Sequence, residues 1–197
     1  MFLLRHGETE FNRAGRGQGR FDSPLTPKGI AQAEAIARHV NTLIAGTGGW
    51  TIVSSPLGRA LATAEIIQKH VRPSAPITSD DRLREVSLGA WDGLTRDEIT
   101  ARWPGALGPS LRQSWLRSCP DGETIDAVIA RLTDWLHAHQ NHHRLIVVTH
   151  GISGSLLRGI YADIPCHEML RLPTPQDSFH HLADGTVHDV PCPGLDH

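Results

Sequence analysis

Short apolar runs alternate along this chain with longer stretches in which apolar residues recur every three or four positions. Phe2-Leu3-Leu4, Trp50-Thr51-Ile52-Val53 and Leu145-Ile146-Val147-Val148 are bounded by polar or glycine-containing segments, the pattern of strands buried on both faces. Between them, Ile30, Ala33, Ile36, Ala37, Val40 and Ile44 keep helical spacing behind Thr26-Pro27, an N-cap with proline in the first turn. Leu57, Ala60, Leu61, Ala64 and Ile67 do the same behind Ser55-Pro56. Ile125, Val128, Ile129, Leu132 and Leu136 mark a helix from Glu123 to about His139, and Leu156, Leu157 and Ile160 mark another after Gly151. Ile77-Thr78 reads as a short strand leading to Leu83-Arg84-Glu85. Phe179–Leu182 and Thr186–Val190, joined by Ala183-Asp184-Gly185, predict a terminal hairpin. The glycine-rich residues 10–23 predict a loop.

Strands alternating with helices predict α/β architecture, a single three-layer domain with a mostly parallel sheet and helices on both faces. Residues 89–122 break the periodicity with glycine, proline, Trp91, Trp103 and Trp115. Only Thr95-x-x-Glu98 stands out there, a capping box for a short helix around 96–103. This stretch is expected to be an excursion over one end of the sheet, with the tryptophans as its small core.

Composition narrows the classes. A chain of 197 residues suits one domain with a full core, and 39% hydrophobic with 20% charged residues is a globular composition. The net charge of -2 supplies no basic field for nucleic acid or an anionic membrane. No apolar run approaches the roughly 20 residues of a membrane helix, and the first strand begins too early for a signal peptide. The three cysteines, Cys119, Cys166 and Cys192, form no C-x-x-C pair, which suits a reducing, cytoplasmic setting. Among the 13 histidines, His137, His139, His142 and His143 cluster without Cys, Asp or Glu at ligand spacing. They read as a solvated helix end, so neither metal nor other cofactor is expected. Oligomeric state is left open.

The chemistry concentrates at strand ends. Arg5-His6-Gly7, Ser54-Ser55-Pro56 with Arg59, and Thr149-His150-Gly151 each follow a buried run, at the edge where open α/β sheets bind ligands. Two guanidiniums and two imidazoles at one edge suit a compact anion, and phosphate matches the arginine fork. His6 beside two arginines should stay neutral and nucleophilic, and a protonated His150 should help neutralise phosphate charge. Glu85, just past a strand, is a candidate general acid.

These residues, together with Asn12, Gln18-Gly19, Pro24-Leu25-Thr26 with Gly29, Thr63-Ala64 and Gly89-x-Trp91, resemble the histidine phosphatase superfamily in order and spacing. That superfamily contains cofactor-dependent phosphoglycerate mutases and their phosphatase relatives. The resemblance implies His6 as the phosphorylated nucleophile, Arg5, Arg59 and His150 as the phosphate pocket, Asn12 as a phosphate contact and Glu85 as proton donor. It makes Gln18 and Gly19 the substrate-side loop, and puts Gly151 beside the pocket. Trp91-Asp92-Gly93 departs from the usual Trp-Glu-Gly, which bears on local packing, and nothing is carried over after Pro173. Gly151-Ile152-Ser153-Gly154 is not the G-x-S-x-G elbow of a serine hydrolase. The compact length and lack of an Arg-Arg pair at 89–122 favour a phosphatase on a small phosphorylated substrate over a mutase or a non-catalytic phosphate-binding module. Arg112 and Arg117 are read as solvated charges, with a distal substrate anion as the alternative.

Overall fold

The structure is a computed structural model that describes residues 1–109, 114–115 and 118–194. Its centre is a six-stranded sheet of β1 (Phe2–Arg5), β2 (Thr51–Ser54), β3 (Ile77–Ser79), β4 (Leu145–Thr149), β5 (Ser178–Ala183) and β6 (Thr186–Pro191), in the order β3-β2-β4-β1-β5-β6. The first four in that order run parallel, with Phe2 opposite Ile146 and Ser54 opposite Val148. β5 lies antiparallel to β1, and β6 antiparallel to β5. The hairpin turns on Asp184 and Gly185, whose φ angles of 50° and 72° fit a type I′ turn.

Strand alternation sorts the apolar residues into two cores. Phe2, Leu4, Ile52, Ile146 and Val148 point to one face. There they meet Ile36, Ala37 and Val40 of α2 (Pro27–Leu43) and Ala60, Ala64 and Ile67 of α3 (Gly58–His70). Leu3, Val53 and Val147 point to the other, against Val128, Leu132 and Trp135 of α5 (Ile125–His139) and Leu156 and Leu157 of α6 (Gly151–Tyr161). This is the expected three-layer arrangement. No helix among the described residues is long and apolar enough to cross a membrane.

Several local expectations need correction. Residues 10–13 are not loop but a one-turn helix, α1 (Glu10–Arg13). A capping box between Thr9 and Asn12 holds it, each side chain bonding the other's backbone N–H. Ile30 lies outside the buried stripe of α2 and is exposed, while its neighbour Gly29 is the buried residue of the first turn. Ser55-Pro56 precedes α3 and does not start it. In α5 the fully buried aromatic is Trp135, at the same spacing as Val128 and Leu132.

Residues 89–122 include a 3-10 turn (Gly89–Trp91) and α4 (Arg96–Arg102), with both halves of the Thr95/Glu98 capping box formed. Trp91 and Trp115 are buried in the same cluster as Leu3 and Val147, so they extend the domain core instead of forming a small one of their own. Asp92 packs well where a longer side chain is usual. Its carboxylate accepts N–H bonds from Leu88 (2.8 Å) and Arg20 (3.3 Å), tying this region to the loop after α1. Arg112 and Arg117 lie outside the described residues. A last helical turn, α7 (Cys166–Met169), leads to the β5–β6 hairpin.

Candidate active site

Because β2, β4 and β1 are neighbours, their carboxyl ends bring Ser55, His150 and His6 together. The ladder continues one residue past each strand: His6 N–H donates to Thr149 O (3.0 Å) and Ser55 N–H to Val148 O (2.9 Å). The rings of His6 and His150 are consequently 5.2 Å apart.

His6 is fully buried and its tautomer follows from its partners. Nδ1 lies 2.8 Å from Gly7 O, an acceptor only, so Nδ1 carries the proton. Nε2 then holds the lone pair, with Arg59 Nε–H 3.3 Å away. Burial, then the Arg5 and Arg59 charges, hold its pKa well below the ordinary histidine value. A neutral His6 was expected from the two neighbouring arginines; burial is the larger cause.

Arg59, the second residue of α3, is buried and almost fully bonded. Nη1 donates to Phe21 O (2.7 Å) and to Asp22 (2.9 Å), and Nη2 to Gly19 O (2.9 Å). The Asp22 carboxylate also accepts the backbone N–H groups of Gly58 and Arg59, capping α3 from another segment. Gly19 has φ 52°, and a Cβ there would lie 1.5 Å from Asp92 Oδ1, so its conformation and packing both call for glycine.

His150 was expected to carry a proton when it meets phosphate. Burial, then the Arg59 charge, pushes its pKa well below the ordinary value, so it is neutral in this state. Its Nε2 is 2.7 Å from Ser55 Oγ, while Nδ1 is buried with no hydrogen-bond partner among the described residues.

Arg5 donates to Thr174 O (2.6 Å), in a segment from which the sequence assigned nothing. From the same segment Gln176 donates to His6 O (3.0 Å) and Asn12 Oδ1 (3.3 Å). Asn12 Oδ1 is thereby saturated, since it also takes Thr9 N–H, and its NH2 group is the end left to meet an anion. Gln18, by contrast, bonds Thr9 Oγ1 and Ser23 Oγ, a bracing role beside the site.

Glu85 follows the 3-10 turn Asp81–Leu83. Its carboxyl accepts the N–H groups of Ile152 (3.1 Å) and Ser153 (2.9 Å) at the start of α6. A cavity of about 180 Å³ is walled by Arg5, His6, Asn12, Gln18, Gly19, Arg59, Glu85 and Gly151. It therefore collects every predicted site residue except His150, which stands behind it against Ser55. A larger cavity of about 580 Å³ opens at the opposite edge near Leu136, Tyr161 and His181, away from these groups. Asp22, Thr174 and Gln176 carried no local sequence signal; Ser55 carried one in its Ser-Ser-Pro context. No group of three or more His, Cys, Asp or Glu side chains among the described residues is arranged to hold a metal ion.

What the arrangement offers is a buried neutral imidazole whose Nε2 lone pair meets Arg59, with a second guanidinium, an amide and a carboxyl held on a helix N-terminus around a small cavity. These are the elements of an anion site with a nucleophile in it. Comparison with known proteins identifies the family. The family model described as "Histidine phosphatase superfamily (branch 1)" matches residues 1–184. The protein named "Probable phosphoglycerate mutase GpmB" of Proteus mirabilis (strain HI4320) is 35% identical over 181 residues, 87% of this chain and 79% of that protein. The solved structure of Bacillus stearothermophilus YhfR is 32% identical with a TM-score of 0.76, covering 100% of this chain and 96% of that one. A mycobacterial glucosyl-3-phosphoglycerate phosphatase in complex with VO3 is 30% identical with a TM-score of 0.73, covering 91% of this chain and 88% of that one. The chain belongs to the histidine phosphatase superfamily, branch 1.

Proposed function

We propose that this protein is a metal-independent phosphomonoesterase that works through a phosphohistidine on His6. The observation that carries the proposal is the His6 tautomer: Nδ1–H is committed to Gly7 O, which leaves the lone pair on Nε2, beside the Arg59 guanidinium, in a residue that walls the cavity. In the first step Nε2 attacks phosphorus and the bond to the ester oxygen breaks. The departing alkoxide takes a proton from Glu85. Water then attacks the phosphohistidine, giving its proton to Glu85 and releasing inorganic phosphate and a neutral His6.

Phosphoryl transfer is catalysed mainly by positioning and charge neutralisation. Arg5, Arg59 and the Asn12 amide supply these, while the N–H groups of Ile152 and Ser153 at the start of α6 hold the Glu85 carboxyl beside them. His150 joins when a phosphate dianion enters: its bare Nδ1 can take up a proton and donate it to a phosphate oxygen. The small cavity suits a small phosphorylated substrate, and nothing in the composition favours nucleic acid. A phosphotransferase reading is favoured by one observation, the 35% identity to a protein named as a mutase.

The test is hydrolysis of p-nitrophenyl phosphate with EDTA present, wild type beside His6→Ala. Turnover that survives the chelator and disappears in the variant is expected. A His6→Ala protein with full activity overturns the mechanism. A folded but inactive wild type shifts the weight to a mutase needing a priming phosphate, or to a binding module.

A further inference from the structure

We infer that Glu123 is a positioning residue for the proton donor, fixing the backbone on which Glu85 is carried; this rests on the phosphatase reading above. Glu85 lies in irregular chain between a 3-10 turn and the excursion, with no ladder or helix to hold it. Its carboxyl reaches the start of α6, but its main chain is held elsewhere. Arg20 Nε–H donates to Glu85 O (2.9 Å), and Arg131 Nη1 donates to Arg82 O, three residues earlier. Ser87, two residues later, donates its N–H to Glu123 (3.4 Å) and accepts the Glu123 N–H (3.0 Å).

One carboxylate organises all of these. Glu123 Oε1 takes Arg131 Nε–H (2.8 Å), and Oε2 takes both Arg131 Nη2 and Arg20 Nη2 (3.2 Å each). The two guanidiniums come from distant elements, the loop after α1 and the middle of α5. Glu123 aligns both so that their remaining N–H groups meet the carbonyls of residues 82 and 85. Glu123 is mostly buried, does not wall the cavity and touches none of the groups proposed to contact phosphate. Its direct contacts lead to the backbone around Glu85; the other route, through Arg20 to its neighbours Gly19 and Phe21 that hold Arg59, would weaken phosphate binding on every ester alike.

A positioning role for the acid has a signature that a generally loosened fold lacks. Expulsion of an alkoxide needs the proton from Glu85, whereas 2,4-dinitrophenolate leaves without one. The experiment compares kcat on β-glycerophosphate and on 2,4-dinitrophenyl phosphate for wild type, Glu123→Gln, Arg20→Gln and Glu85→Gln. Glu85→Gln should lose about 10²–10⁴-fold on the alkyl ester and little on the activated one. Glu123→Gln should show the same selectivity in milder form, roughly tenfold on the alkyl ester and less than about threefold on the aryl ester. Arg20→Gln, which removes the bond to Glu85 O directly, should follow the same pattern and serves where Glu123→Gln folds poorly. Equal losses on both esters, or none, in a protein whose wild type is active overturn the positioning role alone. A wild type inactive on both esters overturns the phosphatase reading and this inference with it.

Discussion

Replacing Gly7 by alanine tests whether the nucleophile's setting depends on a backbone-to-backbone contact. Gly7 needs no left-handed conformation; what it needs is space. An added Cβ would lie 2.2 Å from Gly29 O and 2.8 Å from Gly29 C, in the first turn of α2. Gly29 answers in kind, since a Cβ there would sit 2.0 Å from Glu8 O. Both obstacles are main chain, so no rotamer change relieves them. Restoring an ordinary contact of 3.4 Å requires a separation greater by 3.4 − 2.2 = 1.2 Å. Either α2 lifts, disturbing Ala33, Ile36, Ala37 and Val40 in their core, or the end of β1 withdraws.

The second response moves Gly7 O away from His6 Nδ1 and Gly7 N–H away from Thr63 Oγ1 (3.2 Å). Overpacking of this kind costs about 1–3 kcal/mol, and a rigid pair of backbones belongs at the upper end. At roughly 2–4 °C per kcal/mol for a domain of this size, the melting temperature should fall by roughly 4–12 °C. Turnover should drop as well, because the His6 tautomer loses its anchor. Thermal denaturation and p-nitrophenyl phosphate hydrolysis read the two effects. Gly48→Ala is the control, since a Cβ there meets nothing within 4 Å. A Gly7→Ala protein that melts within a degree of wild type at full turnover would refute the steric reasoning.

Two further outcomes follow from the electrostatics. His6 and His150 have folded-state pKa values well below 6.5, so the unfolded chain binds more protons than the folded one as pH drops below about 6.5. Their contribution to stability is complete above that pH and is lost as pH falls, by up to about 1.4 kcal/mol per pH unit for each histidine. Melting curves between pH 7.5 and 5.5 should show the decline, and His150→Asn should flatten it; an unchanged slope in the variant contradicts a buried neutral imidazole. Asp22→Asn removes the counter-charge of a buried guanidinium and weakens the α3 cap. Because Asp22 is itself 41% exposed, the cost should be only about 1–2 kcal/mol, less than for a fully buried pair. Orthovanadate should stabilise Asp22→Asn more than wild type in the same thermal assay, and equal shifts would remove Asp22 from the electrostatic account.

Apolar pattern made the sheet and its two layers legible, because β1, β2 and β4 are buried on both faces and their ends carry the charged residues. The N-caps Thr26 and Thr95 were equally readable, since capping is a local interaction. α1 was not, because its box closes with Asn12 where Glu or Gln is the usual partner, amid a run of glycines. The strand order escaped as well, since hydropathy does not say that β4 inserts between β2 and β1. Long-range partners lay further out of reach. Asp22 meets Arg59 across 37 residues and Gln176 meets His6 across 170, and neither has a periodicity or motif around it. The low proton affinity of His150 was hidden for a related reason: its largest cause is burial, which a sequence does not display.

The partners of Arg59 explain how a buried guanidinium can be ordered and still keep most of its pull on an anion. A guanidinium held by carboxylates would be well ordered but largely neutralised. Here Arg59 is held largely by the carbonyls of Gly19 and Phe21. Carbonyl dipoles fix the direction of the fork without cancelling its net charge. Asp22 is the one carboxylate that bonds Arg59 among the described contacts, and it does so from a partly exposed position where water weakens its field. His6 and His150, both neutral, add no charge that would repel the arginines in the resting state. The Arg59 guanidinium is thus oriented by neutral dipoles and only partly balanced by its carboxylate. A chain with net charge -2 can therefore hold a strong local anion site without carrying a basic surface.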